Sequence, residues 1–555
     1  MATTSSTLRP IKVAIIGSGP SAFYSAARLL ANATKDGGAD VHVHMYERLP
    51  TPNGLVRYGV APDHPEVKNV EHKFAQVAED KRFRFFGNVN ITGENSSSSS
   101  LTYPYPLATQ LPITSLIPHY THLLLSYGCS LAQTLDIPGS KPGELKNVHS
   151  ALDFVNWYNG HPAAHDPAFL QQEPWRAVDF SQNLHQATVI GAGNVALDVA
   201  RILLRSRSTL TSLFTADTAI KARAALRETD IPEPVLEQLS KSQIDHVEIV
   251  ARRGPAQVAF TNKELREMME LQDVTFIKPK DEYMHLAHEQ VKALEAKAKG
   301  TIDSGGENTQ AAASEARVRK RLLSIIEKGS ATKESKTSWS MDFFKGPNSL
   351  LPSSSKPTSV GGIRWDEMAF EPTPSTHDRD KPWSGGATTG QHHVRATGNQ
   401  SERATDMVIA SVGYKAAPLD SESNSLISWD VKKGIVPNRG GQVIDANGNA
   451  RKGMYVSGWL ARGPVGVIAS TRIDANSVVE QMLHDWRTSN GSMRLEGEKE
   501  VDLESVPEEL RQSTKRVVTW QDWLRIDAYE LTKGQELGKL REKVLSVAQM
   551  LSIIE

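Results

Sequence analysis

Lys12-Val13-Ala14-Ile15-Ile16-Gly17-Ser18-Gly19-Pro20-Ser21-Ala22 decides how this chain is read: an apolar run ends in glycines and passes into a helix-like stretch over residues 21–30. Such a run reads as a buried parallel strand feeding a tight turn that cradles a phosphate. The next strand pattern, Val41-His42-Val43-His44-Met45-Tyr46-Glu47, closes on an acid. The plan then recurs. A strand over 187–190 leads into Gly191-Ala192-Gly193-Asn194-Val195-Ala196 and a helix over 195–204, and a strand over 246–251 closes on Arg252 and Arg253. An acid at that strand end hydrogen-bonds a free ribose 2′-hydroxyl, whereas arginines there accommodate a 2′-phosphate.

The chain is therefore expected to hold one dinucleotide without that phosphate and one with it. FAD plus NADPH is the simplest pair, and it points to a flavin oxidoreductase. One glycine loop alone is weak support, because tight turns of that composition are common. Two loops with opposite charges on the following strands are hard to explain as structural accidents. The interval from Gly17 to Glu47 is 30 residues, longer than the usual span of about 20 from loop to acid. A polar loop over 34–40 with a Gly-Gly pair absorbs the difference. The second unit carries an insertion with charged helical segments, including residues 219–228.

At 555 residues the chain is too long for one core, and its 39% hydrophobic and 23% charged composition is that of a globular protein of several domains. The net charge of −1 gives no overall field toward nucleic acid or membrane. No apolar run approaches the roughly 18 residues of a membrane span. The cluster Leu123-Leu124-Leu125 reads as a core helix. Cys129 is the only cysteine, so an intrachain disulfide, a redox dithiol and a cysteine-ligated cluster within the chain are all excluded. Electrons that enter at a flavin must leave from it directly to an outside acceptor. No metal site is expected. Residues 1–10, Ser/Thr-rich with one arginine and no acid, read as a disordered tail or the remnant of a transit peptide.

Three stretches read as loops without chemistry: 94–100 with five serines in a row, 301–314, and 372–400. Strand patterns return at 406–413 and 453–459. The turn Gly463-Pro464-Val465-Gly466 then leads into a helix over 468–483. A helix N-terminus offers unpaired N–H groups and partial positive charge to an anionic or carbonyl-bearing cofactor edge. Arg317, Arg319, Lys320 and Arg321 lie beside Val318, Leu322, Ile325 and Ile326 at helical spacing.

In four stretches the chain resembles the adrenodoxin reductase family, the mitochondrial NADPH:ferredoxin reductases. They are Gly54-Leu55-Val56-Arg57-Tyr58-Gly59-Val60-Ala61-Pro62-Asp63-His64-Pro65-Glu66-Val67-Lys68-Asn69, the GAGNVALDVAR stretch from Gly191 to Arg201, Arg252-Arg253-Gly254-Pro255 with Phe260-Thr261-Asn262-Lys263-Glu264-Leu265-Arg266-Glu267, and Gly458-Trp459-Leu460-Ala461-Arg462-Gly463-Pro464-Val465-Gly466-Val467-Ile468-Ala469. Trp523 and Arg541-Glu542-Lys543 extend the match to the end of the chain.

The resemblance implies an α/β fold of two Rossmann-like, glutathione-reductase-type domains, with the NADPH domain inserted into the FAD domain. The boundaries expected are FAD domain 11–134 and 412–555, NADPH domain 135–411, joined through two crossings. FAD contacts are implied at Gly17, Gly19, Ala22, Glu47, Leu55, Ile91, Trp459, Gly466, Val467 and Ile468. NADPH contacts are implied at Gly191, Ala192, Gly193, Asn194, Val195, Arg252, Arg253, Glu264 and Gly466. The chain departs from the family at Ala22, where glycine is usual, and at Ala192, where glutamine is frequent.

His64 and Asp198 are the candidates for proton handling. The alternative is a structural histidine in a Pro-rich turn and a helix-capping or salt-bridged acid. Arg317, Arg319, Lys320 and Arg321 match the segment that docks the acidic face of a [2Fe–2S] ferredoxin; the alternative is a solvated helix face. The activity implied is the passage of electrons from NADPH, one at a time, to such a ferredoxin. The location implied is the mitochondrial matrix, with at most peripheral membrane association. The rival readings are an NADPH-dependent flavin reductase with a small-molecule acceptor and an idle nucleotide-binding scaffold.

Overall fold

Strand Ile11–Ile16 is buried along its whole length, as a run of β-branched and apolar residues must be when sheet neighbours and helices cover both faces. It lies inside a seven-stranded sheet of order Asn438–Arg439, Gln442–Ile444, Ala450–Val456, His122–Leu125, Ile11–Ile16, Val41–Tyr46, Phe83–Phe86. The five strands from Ala450–Val456 to Phe83–Phe86 run parallel, and the first two add an antiparallel edge. Helices Pro20–Ala33 and Ile468–Thr488 pack on this sheet, where Phe23, Leu29, Val478, Met482 and Trp486 join one core with Val13, Val43 and Leu124. Phe23 stacks on Phe74 with ring centroids 4.7 Å apart.

The computed structural model describes residues 10–33, 40–93, 103–211, 226–300, 308–371, 393–419, 426–495 and 502–555. The tail expected over 1–10, the serine loop 94–100, the loop 34–40 and the insertion helix 219–228 lie wholly or mostly outside them.

The chain divides into two units: Met1–Leu131 with Asn159–Asp166 and Gly413–Glu555, and Ala132–Tyr158 with Pro167–Val412. Both are Rossmann-like, and the second interrupts the first. The chain passes between them four times rather than the expected two, because 159–166 returns to the first unit. There the Asn159 carbonyl accepts from Lys543 Nζ, and His161 sets its ring edge on Tyr58.

The second unit carries a parallel six-stranded sheet of order Val274–Ile277, Thr337–Phe343, His246–Ala251, Gln186–Ile190, Met407–Ala410, Val148–Ser150. A separate antiparallel sheet is formed by Lys345–Pro352, Val360–Phe370 and Val394–Ala404. Leu350, Val360, Ile363 and Trp365 seat this small sheet on Ile190, Val250 and Val408.

Three local expectations are corrected. Leu123-Leu124-Leu125 is strand, not helix: all four residues of His122–Leu125 are buried in the sheet, and a short apolar run carries no period to tell the two apart. Residues 308–314, expected as loop, open the helix Asn308–Lys328. Residues 394–400, also expected as loop, belong to an 11-residue strand whose side chains are nearly all in solvent, so no apolar alternation announces it.

Cys129 is buried, which pushes its thiol up to about 12 and leaves it inert as a nucleophile. Four histidines are held neutral chiefly by burial: the pKa values of His44, His122, His149 and His161 fall from 6.5 to about 2, 4, 4 and 3. Unfolding releases each to its ordinary value, so below pH 6.5 the unfolded chain takes up protons that the folded chain refuses. Stability from these groups is present above pH 6.5 and is lost as the pH falls toward 4, at up to about 1.4 kcal/mol per pH unit for each. The urea midpoint should drop steeply from pH 6.5 to 4.5, and His44→Asn should make that slope shallower by about one proton. An unchanged slope in the variant would show that His44 takes no part.

Candidate functional site

In the first unit, Gly17 takes φ +100°, and a Cβ there would lie 2.6 Å from the Ser126 carbonyl oxygen and 2.7 Å from Tyr127 Cα. Only glycine fits. Its N–H donates to the Tyr46 carbonyl at 2.8 Å, which ties the loop to the second strand. Above Gly19, by contrast, nothing lies within 4 Å of a Cβ position. Glu47 ends the second strand nearly buried. Its Oε2 accepts from Ser18 N at 3.0 Å and Ser18 Oγ at 2.7 Å, and its Oε1 accepts from Leu49 N at 3.1 Å. The carboxylate is thus fastened beside the loop with lone pairs left for a hydroxyl.

The turn of Asn53 and Gly54 presses on the same loop. Asn53 N donates to the Ser18 carbonyl at 3.0 Å, and a Cβ on Gly54 would come within 3.1 Å of Gly19 Cα. Both residues have positive φ, 79° and 49°, and the buried Asn53 side-chain oxygen has no hydrogen-bond partner among the described residues. From the far end of the chain, Ser457 Oγ bonds Ser21 Oγ at 2.7 Å, and Gly458 N donates to Asp474 Oδ2 at 2.6 Å. Burial of Asp474 raises its pKa. Helix Ile468–Thr488 starts just after Gly466, with Ser470 Oγ accepting from Val467 N at 3.1 Å. Val465 and Val467 are exposed there.

The remaining expected residues of this unit fall in varied surroundings. Leu55 and Trp459 are half-buried. Ile91 is buried on the short strand Val89–Thr92. The methyl of Ala22 is packed into the core. His64 is buried and caps the short helix Pro65–Lys68 by position, with no side-chain cap bond.

The second unit repeats the geometry. Gly191 takes φ +121°, and a Cβ there would meet the Ser411 carbonyl oxygen at 2.2 Å, while Gly193 faces open space. The Ala192 carbonyl accepts from Ala259 N at 2.8 Å and Asn194 Oδ1 from Thr261 N at 2.9 Å, so the loop is stitched to residues 259–261. Val195 follows in the first turn of helix Asn194–Thr211. Arg252 is exposed and Arg253 half-buried. The pKa of Arg253 is lowered by burial and then by the neighbouring Arg252 and Arg319 guanidiniums, a cluster of cations that an added phosphate dianion would relieve.

Asp198 and Glu264 share a partner that sequence reading missed, the fully buried Arg201. Its Nη2 donates to Asp198 Oδ1 at 2.6 Å, and its Nη1 lies 3.3 Å from Glu264 Oε2 and 3.9 Å from Glu267. Asp198 is therefore a salt-bridged acid. The available signal was an arginine within the apolar helix Val199-Ala200-Arg201-Ile202-Leu203, since a buried charge requires such partners.

Arg319 also departs from expectation. It faces inward, donating to the Val258 carbonyl and lying 3.7 Å from Glu315. Ala316, Leu323 and Ile326 are buried on the same helical phase, which explains its direction and the exposure of Val318. Arg317, Lys320 and Arg321 are exposed, with Lys320 Nζ 3.4 Å from Glu295.

No family profile matches the chain. Individual relatives do. The chain is 33% identical to the mitochondrial NADPH:adrenodoxin oxidoreductase of Salvelinus fontinalis over 552 residues, 98% of this chain and 91% of the relative. It is 33% identical to that of Bos taurus over 561 residues, 98% and 92% of the two chains. With NADPH-ferredoxin reductase FprA of Mycobacterium tuberculosis it shares 34% identity over 547 residues, 98% and 99% of the two. The chain belongs to the NADPH:adrenodoxin oxidoreductase family. Among solved structures, FprA in complex with NADPH superposes with a TM-score of 0.72 at 31% identity, covering 98% of this chain and 100% of that one.

The two glycines of the family member's second loop make separable demands. Gly191→Ala should destabilise the second unit by roughly 1–3 kcal/mol or more, because both its φ and its Cβ position are forbidden. Gly193→Ala has room and should leave the thermal midpoint within about 2 °C of wild type. Differential scanning calorimetry of both variants tests the difference. Equal midpoints would show that the Ser411 carbonyl does not constrain the loop.

Proposed function

We propose that this chain is a flavoprotein oxidoreductase that passes electrons from NADPH through FAD, one at a time, to a [2Fe–2S] ferredoxin of the adrenodoxin type. The observation that carries the reading is the pair of equivalent loops whose following strands end in opposite charge: Glu47 in the first unit, Arg252 and Arg253 in the second. When bound, NADPH supplies a hydride and FAD divides that electron pair into the single electrons an iron–sulfur acceptor takes up.

The first unit suits FAD. Glu47, oriented by Ser18 and Leu49, accepts from a ribose hydroxyl. The space over Gly19 admits a diphosphate to the start of helix Pro20–Ala33. The unpartnered Asn53 oxygen and the exposed Val465 and Val467 supply a polar and an apolar contact where a flavin edge needs both. Leu55, Ile91, Trp459, Gly466 and Ile468 complete the proposed FAD residues. In the second unit, the planar guanidiniums of Arg252 and Arg253 grip a 2′-phosphate by charge-assisted bonds, and Gly191 to Val195 approach the diphosphate.

Hydride transfer between the two cofactors needs no protein acid or base. The carboxylate of Asp198 orients Arg201, and Glu264 does the same from the neighbouring helix. We assign Arg317, Lys320 and Arg321, without Arg319, to ferredoxin docking. Exposed cations there steer an acidic partner and weaken with salt. Mitochondrial residence follows the names of the relatives, and we place the protein on the matrix side. Among the described residues no helix is long and apolar enough to cross a membrane.

The purified protein should show a flavin band that bleaches on anaerobic NADPH addition and recovers as oxidised [2Fe–2S] ferredoxin is reduced. Bleaching without ferredoxin reduction would leave an NADPH-dependent flavin reductase with a small-molecule acceptor, and no bleaching would sink the enzyme reading. Reversing Arg317 and Arg321 to Glu together should slow ferredoxin reduction at low salt and spare the bleaching. Arg252→Ala should weaken NADPH binding about tenfold to a hundredfold and change NADH binding little. Equal losses for both nucleotides would remove the 2′-phosphate assignment.

A further inference from the structure

The turn that presses on the first glycine loop is held only in part by its own backbone bonds, such as Val56 N to the Asn53 carbonyl at 3.0 Å and Tyr58 N to the Gly54 carbonyl at 3.0 Å. Asn53 and Gly54 both take positive φ, and the helix that follows, Leu55–Tyr58, has only four residues and no side-chain cap. Positive φ at a buried Asn persists only where the surroundings over-determine it. Part of those surroundings comes from the other end of the chain.

Arg57 is buried, and its Nη2 donates to Glu530 Oε1 at 2.6 Å across 473 residues of sequence. Its guanidinium also lies 5.1 Å from the Tyr58 ring and 5.2 Å from the Trp523 ring. Glu530 sits on helix Trp520–Glu536 with no solvent exposure. Its Oε1 accepts in addition from Val544 N at 2.9 Å, and its Oε2 from Arg541 Nη1 at 2.9 Å. The segment after the helix folds back so closely that a Cβ on Gly534 would lie 2.6 Å from Arg541 Cα. Lys543 Nζ donates to the Arg57 carbonyl at 3.2 Å and the Asn159 carbonyl at 3.0 Å. On the near side, Tyr58 OH pairs with Thr51 Oγ1 at 2.9 Å. Residue 57 is thus gripped by side chain and by main chain, three positions from the contact between Gly54 and Gly19.

A buried ion pair is a poor way to gain stability, because the cost of desolvating both charges cancels most of their attraction. Its use is geometric: Arg57 must stay where one carboxylate can reach it.

We infer that Glu530 is a positioning residue for the FAD site, acting with Lys543 to hold the Asn53–Gly59 turn against the first glycine loop. This rests on the assignment of FAD to the first unit. With the Glu530 charge gone, the buried Arg57 loses its carboxylate while Arg541 keeps Asp527 at 2.6 Å, and the turn moves off Gly19. The C-terminal segment is then part of the cofactor site without touching the cofactor.

The test uses full-length apoprotein prepared by flavin removal and titrated with FAD, followed by quenching of flavin fluorescence. Glu530→Gln should raise the FAD Kd at least tenfold and halve or abolish the rise in thermal midpoint that saturating FAD gives the wild type. NADPH binding to the same apoprotein should stay within twofold. Should Glu530→Gln fail to fold, Lys543→Met, which removes the main-chain clamp and keeps the carboxylate, should raise the FAD Kd in the same direction. The double variant Arg57→Met/Glu530→Leu separates positioning from charge balance: it should regain apoprotein stability but not FAD affinity. Wild-type FAD affinity in Glu530→Gln, in Lys543→Met or in the double variant overturns the inference. Failure of the wild-type apoprotein to bind FAD overturns the FAD assignment itself.

Discussion

In each unit a backbone carbonyl at the end of the neighbouring strand occupies the place where a side chain on the first loop glycine would be. Ser126 provides it for Gly17 and Ser411 for Gly191. The rest of each site follows from that close approach. Among the described residues nothing crowds a Cβ position on the second glycine of each loop, and a helix begins at the next residue, Pro20 or Asn194. Because the two units share this geometry, it does not distinguish one dinucleotide from another. What differs between the two units is the charge that follows the next strand, Glu47 in the first and Arg252-Arg253 in the second.

Three buried or half-buried guanidiniums show how the units keep their loops in place. Arg57 is fixed by Glu530, Arg201 by Asp198 and Glu264, and Arg319 by Glu315 and the Val258 carbonyl. In each case the cation bridges an element near a glycine loop to one distant in sequence. A guanidinium suits this use because its rigid fork satisfies several acceptors at once and never loses its charge. Asp198 and Glu264 both pair with the buried Arg201. Arg319 faces the interior, while its neighbours Lys320 and Arg321 are exposed.

Local order was legible where one period or one motif spans the whole element. The strand–glycine–helix unit at Ile11–Ala33 is legible to within a few residues, and that at Gln186–Thr211 up to its helix, which runs seven residues past the expected end at 204. Misreadings fall where periodicity carries no information. Leu123-Leu124-Leu125 is uniformly apolar, Val394–Ala404 is almost uniformly exposed, and the first turns of Asn308–Lys328 are rich in small residues. The return of 159–166 to the first unit was not legible either, since its contacts there, Lys543 with the Asn159 carbonyl and Tyr58 with His161, are made by residues distant in sequence.

The sequence by itself determined that the chain has two glycine loops of dinucleotide type with opposite charges after their next strands, and that no second cysteine exists for disulfide or cluster chemistry. Those properties reside in residue types at short spacings, where chain geometry leaves few alternatives. Only the tertiary structure decided which charged side chains face solvent and which are spent inside. The direction of a guanidinium is set by partners dozens to hundreds of residues away, as with Arg57 and Glu530. A one-residue change in helical phase separates the exposed Lys320 from the inward Arg319.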